Sequence, residues 1–276
     1  MAIPGNPDSP FLRHTIYQLY RDFFDQAERK RRWNVADDIP WDQVGSGVEP
    51  AIAHIIESFC AVEMFLPDYV GQILPHIRGS RGRAWFTANW GYEESKHSLA
   101  MGDWLLRSGH RSEEQMADLE DQVFTHVWEL PLDSVRGMVC YSMTQELATW
   151  MHYRNMRALI GKDACPALYK LLTYIMVDER AHYDFFLRVV KLQLEEDRAE
   201  TIEQLRRVLN HFQMPAVYAL ADGRQRVAEV KALRIFEDDI FYQHVYLPIL
   251  DTLGISRQEM RNRTATRKSL SAQPLP

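Results

Sequence analysis

Trp90-Gly-Tyr-Glu93-Glu94-Ser-Lys-His97 and Asp178-Glu179-Arg-Ala-His182 are the stretches on which the fold turns. Each contains Glu-x-x-His inside a segment whose apolar spacing reads as helix. Residues three apart share one face of a helix, so Glu94 with His97, and Glu179 with His182, can each hold one metal ion. A lone Glu63 stands 31 positions before Glu94, and a lone Glu146 stands 33 positions before Glu179. That near-repeat describes two helical hairpins, each with one lone Glu and one Glu-x-x-His pair. It is the ligand set of a carboxylate-bridged two-metal site in the core of a four-helix bundle. The lone glutamates then bridge the pair of ions or complete their coordination. Carboxylate and imidazole ligands suit iron or manganese, and the lack of cysteine ligands argues against an iron–sulfur cluster.

Chance supplies on the order of one Glu-x-x-His in a chain of this composition, so a single match means nothing. Two matches with matched upstream glutamates are a different matter. Glu63 sits among Ile56, Phe59, Cys60 and Leu66, and Glu146 shares a face with Met143, Thr149, Trp150 and Tyr153. An unpaired carboxylate buried there costs several kcal/mol, which ligation offsets. A buried salt bridge is the plainer alternative.

Outward from these motifs, almost everything reads as helix. A first amphipathic helix spans 11–32 and ends in the basic run Arg29-Lys30-Arg31-Arg32. Pro40 makes the Trp33–Trp41 stretch extended or turn-like. A second helix starts near Pro50 and passes Glu63, with Pro67 kinking it or opening a new segment. A third covers 83–108 and stops at Gly109, and a shorter one covers 113–128. Pro131 opens a long helix to Ile160, stopped by Gly161. Another runs from Pro166 to about Glu195. Two or three more fill 199–253, with breaks near Met214-Pro215 and Asp222-Gly223. The expectation is an all-α, four-helix bundle with additional flanking helices, one domain over 1–260, and a disordered tail over 261–276.

The chain has 276 residues, 46% of them hydrophobic, enough to fill one large core. No run of about 18 apolar residues and no leader-like start predict a protein without a transmembrane segment, in the cytoplasm. The net charge of −6 disfavours nucleic acid as a partner. Cys60, Cys140 and Cys165 are too scattered for a disulfide framework and read as reduced core thiols.

Four stretches resemble the soluble acyl-[acyl-carrier-protein] desaturases, a ferritin-like di-iron family. Glu63-Met-Phe-Leu-Pro67-Asp-Tyr69 is similar to its EEALPTY segment, and Trp90 to His97 to its WTAEENRH. Thr144-Gln145-Glu146-Leu-Ala148-Thr149 resembles its FQERAT, and Asp178 to His182 its DEKRH. Trp33, Asp37 and Pro40 echo its WQPQDFLP stretch, and Met214-Pro215 with Asp222-Gly223 fit a later landmark. The resemblance implies a ferritin-like fold and a centre of two Fe ions held by Glu63, Glu94, His97, Glu146, Glu179 and His182. It further implies O2 as co-substrate, acyl carrier protein bearing the acyl substrate, a ferredoxin-like electron donor and a homodimer. Gly91-Tyr92 and Met64-Phe65 depart from the family pattern where an acyl chain would lie. Chain length and double-bond position therefore do not carry over.

The resemblance also implies a chain His97–Asp178–Trp33, in which Asp178 orients a histidine ligand and Trp33 leads electrons in. The internal repeat adds a residue of its own: Glu93 stands to Glu94 as Asp178 stands to Glu179, so Glu93 is expected to hold His182. Thr149, one turn after Glu146, is the candidate catalytic residue, by resemblance and by spacing. The alternative is a threonine bonded to the carbonyl one turn back. The Arg29–Arg32 run is either a docking patch for an acidic donor or carrier or a solvated helix end. Arg78, Arg81 and Arg83 offer a second such patch. The remaining histidines have no matched partners. Two competing readings are a ferritin-like di-iron hydroxylase or N-oxygenase acting on another small molecule, and an iron-storage or peroxide-scavenging protein. The first would add oxygen to its substrate, and the second would assemble well beyond a dimer.

Overall fold

The computed structural model describes residues 8–45, 47–214, 220 and 222–261, and no strand occurs among them. Helix α1 (Pro10–Gln26) begins with Pro10 and with Ser9, whose side chain accepts the Leu12 N–H at 3.2 Å. It closes in a π-helical turn, Ala27–Arg31, and the chain then extends through Trp33 to a short turn at Trp41–Gln43. Four helices build the bundle: α2 (Pro50–Met64), α4 (Arg81–Arg107), α6 (Val135–Ile160) and α7 (Pro166–Glu196). Between the first two lies α3 (Leu66–Ile77), and between α4 and α6 lies α5 (Glu113–Phe124). Pro67 therefore opens a new helix after a break at Phe65; it does not kink α2.

The two hairpins anticipated by the repeat are present: α2 packs on α4, and α6 on α7. Gly109 (φ +73°) and Gly161 (φ +71°) follow the ends of α4 and α6 with the positive φ that only glycine adopts freely. Helix α6 starts later than the expected Pro131. Ser134 caps it by accepting the Gly137 N–H at 3.0 Å, and 125–134 stays non-helical.

The end of the chain is more divided than expected. Helix α8 (Arg198–His211) packs on α6 and α7. Then come α9 (Gly223–Ala232), α10 (Asp238–Phe241), a π-helical turn at Tyr242–Tyr246, α11 (Leu247–Leu253) and α12 (Arg257–Arg261). Pro215 of the expected break, and 262–276 of the expected tail, lie outside the described residues.

Two large apolar clusters fill the bundle. One joins Leu12, Ile16, Phe86, Trp90, Met138 and Phe185; the other joins Ile55, Ile56, Met101, Trp104, Met156 and Leu171. Along α4 the first cluster holds 86 and 90 and the second 100–105. Along α7 the second cluster precedes residue 177 and the first follows 182. The paired motifs thus form a polar layer between two dry halves. Pro50–Ile77 has a mean hydropathy of 1.3 in its most apolar window, a value that core helices also reach, and it is divided at Phe65 into α2 and α3. In this fold 61% of that window is buried inside the protein. Cys60, Cys140 and Cys165 are free and buried, as expected.

Candidate metal centre

Helical spacing delivers the six motif residues to one layer. Glu63 comes from α2, Glu94 and His97 from α4, Glu146 from α6, and Glu179 and His182 from α7. All six are buried, between 0% and 7% exposed. They fall into two overlapping quartets, Glu63–Glu94–His97–Glu179 and Glu94–Glu146–Glu179–His182. Within each, one ligand atom per residue lies within 4.8 Å of the others. Glu94 and Glu179 are the carboxylates common to both quartets, whereas the lone Glu63 and Glu146 each serve one. Of the two roles left open for the lone glutamates, membership of a single quartet is compatible with completing the coordination of one ion each.

The donor atoms suit cations. Both histidines turn Nδ1 inward: His97 Nδ1 is 2.8 Å from Glu94 Oε2, and His182 Nδ1 is 3.0 Å from Glu94 Oε1. Neither contact has the alignment of a hydrogen bond, and both Nδ1 atoms, both Glu146 oxygens and Glu179 Oε1 are buried without a hydrogen-bond partner among the described residues. Orphaned buried acceptors on this scale are rare unless an ion satisfies them. Burial, then the charges of Glu94 and Glu179, push the Glu63 carboxyl well up; burial, then Glu94 and Glu146, do the same to Glu179. Burial also acts on Glu94, but His97 and His182 outweigh it and hold it down to about 2. A layer where carboxylates raise one another is short of positive charge, and dications supply it. The residues present fit two such ions.

Outside this layer the histidines are braced across the hairpins. Glu93 of α4 receives His182 Nε2 at 2.7 Å, and Asp178 of α7 receives His97 Nε2 at 3.2 Å. Trp33 Nε1 donates to the same Asp178 oxygen at 2.7 Å. The expected His97–Asp178–Trp33 chain and the Glu93–His182 contact are therefore both in the geometry. Burial opposes the charge on Glu93, but His182 and Arg31 prevail and hold its carboxyl down to about 2. With each Nε2 held by a carboxylate, each Nδ1 faces inward, where its lone pair would be available to an ion that displaces the proton.

Thr149 is buried beside the layer, but its hydroxyl donates to the Gln145 carbonyl at 2.9 Å, the plainer of its two readings. The basic run divides: its first half fits the solvated helix end, and its second half turns inward. Arg31 bonds both Glu93 and Asp178, and Arg32 bonds Glu93, Glu28 and Asn89, while Arg29 and Lys30 are exposed. Of the second patch, Arg78 and Arg81 are exposed and Arg83 is not. Arg83 is buried in a fork on Asp8 (2.8 to 3.0 Å), and Arg81 lies over Trp85 (4.0 Å) and Tyr17 (4.4 Å). Buried acids recruit Arg31, Arg32 and Arg83, and aromatic faces take Arg81.

Sequence reasoning missed three participants. Arg31 and Arg32 are the first two, although two buried acids outside a metal layer need cations. The third is Tyr69, whose hydroxyl is 3.5 Å from Glu63 Oε2. It also lines a narrow apolar cavity with Ile73, Phe86, Trp90, Met138 and Phe186, which reaches Gln145 beside Glu146. Among the remaining histidines, His54 bonds Glu229 (2.6 Å) and Asp222 (3.1 Å). The buried His152 bonds the Ala148 carbonyl at 2.7 Å and stacks on Phe236.

Comparison with known proteins gives concordant results. A family model described as fatty acid desaturase matches residues 61–269. A Mycobacterium tuberculosis protein named as a candidate acyl-[acyl-carrier-protein] desaturase, DesA1, is 24% identical over 251 residues, 82% of this chain and 72% of its own length. The X-ray structure of a candidate acyl-ACP desaturase, DesA2, from M. tuberculosis H37Rv superposes with a TM-score of 0.66 at 18% identity, covering 89% of this chain and 95% of that one. An R2-like ligand-binding oxidase, solved as a point mutant with an anaerobically reconstituted Mn/Fe cofactor, superposes with a TM-score of 0.58 at 17% identity, covering 88% and 94%. At such identities the structural likeness speaks for the ferritin-like fold.

Proposed function

The chain belongs to the fatty acid desaturase family, and on that premise we propose that it inserts a double bond into an acyl chain carried on acyl carrier protein, using two iron ions and O2. The observation that carries this reading is the buried layer of four carboxylates and two inward-facing Nδ1 atoms beside an apolar cavity. The overall reaction takes two hydrogens from adjacent methylenes. With O2, two electrons and two protons it yields one alkene and two waters. Glu63, Glu94, His97, Glu146, Glu179 and His182 would hold the ions, with Glu94 and Glu179 shared. Bound there, the metal pair supplies the redox chemistry that no side chain can.

The protein's own tasks are positioning, drying and conduction. Phe86, Trp90, Met138 and Phe186 wall an apolar slot that would align the acyl chain and exclude water. Glu93 and Asp178 fix the tautomer of each histidine. Trp33, stacked on Tyr174 at 5.3 Å and bonded to Asp178, would lead electrons from a ferredoxin-like donor toward His97. A homodimer belongs to the same proposal.

One observation favours a second reading. Trp90 Nε1 is buried without a partner among the described residues, and Trp90 lines the same cavity. A substrate carrying a hydrogen-bond acceptor would satisfy it, as in hydroxylation or N-oxygenation of another small molecule. Incubating the reduced, iron-loaded protein with O2 and a panel of acyl-carrier proteins separates the two by mass. Loss of two hydrogens supports desaturation, a gain of one oxygen supports hydroxylation of the acyl chain instead, and no change across the panel defeats the acyl-carrier assignment and leaves the second reading.

A further inference from the structure

Arg31 is 10% exposed in its side chain, and its guanidinium makes a contact that no other cation near the metal layer makes among the described residues. Nη1 bonds Glu93 Oε2 at 3.0 Å and also Asp178 Oδ1, and Nη2 bonds Glu93 Oε1 at 3.0 Å. Glu93 belongs to α4 and holds the histidine of α7. Asp178 belongs to α7 and holds the histidine of α4. One planar fork therefore joins a chain of contacts that runs His182–Glu93–Arg31–Asp178–His97. Phe23 supports it, its ring centre 4.8 Å from the guanidinium carbon.

The local backbone explains how this reach is achieved. Consecutive residues on an α-helix point about 100° apart, so Arg31 and Arg32 could not both face Glu93 from a regular turn. Here the last turn of the first helical segment is π-helical, closed by the Arg32 N–H on the Ala27 carbonyl at 3.0 Å, and Arg32 itself is extended. Such a widened turn is a common device at functional sites. It aims two adjacent arginines at one buried acid, and their two positive charges offset those of Glu93 and Asp178. The four glutamates of the inner layer are then left to two divalent ions.

We propose that Arg31 is a positioning residue that ties the two histidine supports together, so that the two metal sites fill as a coupled pair. This rests on the metal-centre reading above, and it does not depend on what the substrate is. Lysine would keep the charge but could not span two carboxylates with a rigid fork. Arg32 reaches Glu93 without reaching Asp178, so its loss should loosen only the His182 side.

The test is Mn2+ titration of the metal-free protein, followed by electron paramagnetic resonance, which distinguishes lone ions from an exchange-coupled pair. The wild-type chain is expected to show the pair signal from the first additions. Arg31→Gln and Arg31→Lys should both show lone-ion signal at low loading and roughly 10–100-fold weaker uptake at both sites, the usual loss when an outer support of a ligand is removed. Arg32→Gln should weaken one site alone. If Arg31→Gln fails to fold, as judged by thermal melting of the metal-free protein, Arg31→Lys carries the comparison. Wild-type affinities and pair signal in the folded Arg31 variants would overturn this proposal alone. Absence of Mn2+ uptake by the wild-type chain would overturn the metal-centre reading, and this proposal with it.

Discussion

Glu93 and Asp178 each stand one residue before a motif glutamate, and each reaches the histidine of the opposite hairpin. Removing one of them should therefore be felt most at one metal ion. Glu93→Ala is expected to weaken divalent-ion binding by about 10–100-fold, most at the site His182 serves, and to loosen the other through the lost tie to Arg31. Isothermal titration with Mn2+ checks this, and two undisturbed affinities would refute it. His152 invites a different measurement, because burial drives its pKa down to about 4 while the Ala148 carbonyl only partly opposes. Between that value and the usual 6.5 or so, the unfolded chain takes up a proton that the folded chain refuses. Stability is accordingly complete above about pH 6.5 and falls as the pH drops toward 4. At pH 5 the loss from this group is on the order of 2 kcal/mol. Urea melts at pH 7.5 and pH 5 should show a smaller acid loss in His152→Phe than in wild type; an equal loss would assign the acid sensitivity elsewhere.

At the scale of elements, the crossing of α1 over α4 depends on one absent side chain. A Cβ on Gly82 would sit 2.6 Å from the Tyr17 nitrogen and 2.7 Å from the Ile16 carbonyl carbon, both backbone atoms that cannot rotate away. Gly82→Ala is expected to destabilise the fold by about 1–3 kcal/mol through forced separation of the helices. Because α1 leads into the turn carrying Arg31, the same variant should also lower metal affinity. Chemical denaturation with and without Mn2+ measures both, and an unshifted midpoint would mean the helices can part at little cost. The element boundaries show where reading the chain succeeds. Gly109, Gly161 and Pro166 mark ends that local backbone chemistry dictates. The start of α6 at Val135, not Pro131, was less legible, since proline permits a first turn but Ser134 supplies the bond that begins one.

For the whole molecule, a polar layer of buried acids between two apolar clusters is a stability deficit until cations fill it. Divalent metal should therefore raise the melting temperature of the metal-free chain in a concentration-dependent way. At a hundredfold excess over the dissociation constant the gain is about 2.7 kcal/mol. Scanning calorimetry across an Mn2+ or Fe2+ series checks this, and a constant melting temperature would argue against a metal-binding layer. The ligand residues were legible because a two-hairpin repeat writes itself at fixed spacing. The arginines were not, because the buried acids they bond lie 61 to 147 positions away. A basic run on a helix end looks the same in sequence whether it faces water or a buried acid.

The sequence by itself determined the long helices of the two hairpins and the six residues that meet at mid-bundle, since helical periodicity is a local property and the motif repeats. It also placed Glu93 beside His182, by analogy with Asp178 within the same repeat. Only the tertiary structure decided that Glu94 and Glu179 belong to both quartets and that the Thr149 hydroxyl donates a hydrogen bond to the Gln145 carbonyl. It alone turned Arg31 and Arg32 inward. Those outcomes depend on which oxygen of one helix faces which atom of another, and such long-range distances are fixed by packing rather than by spacing along the chain.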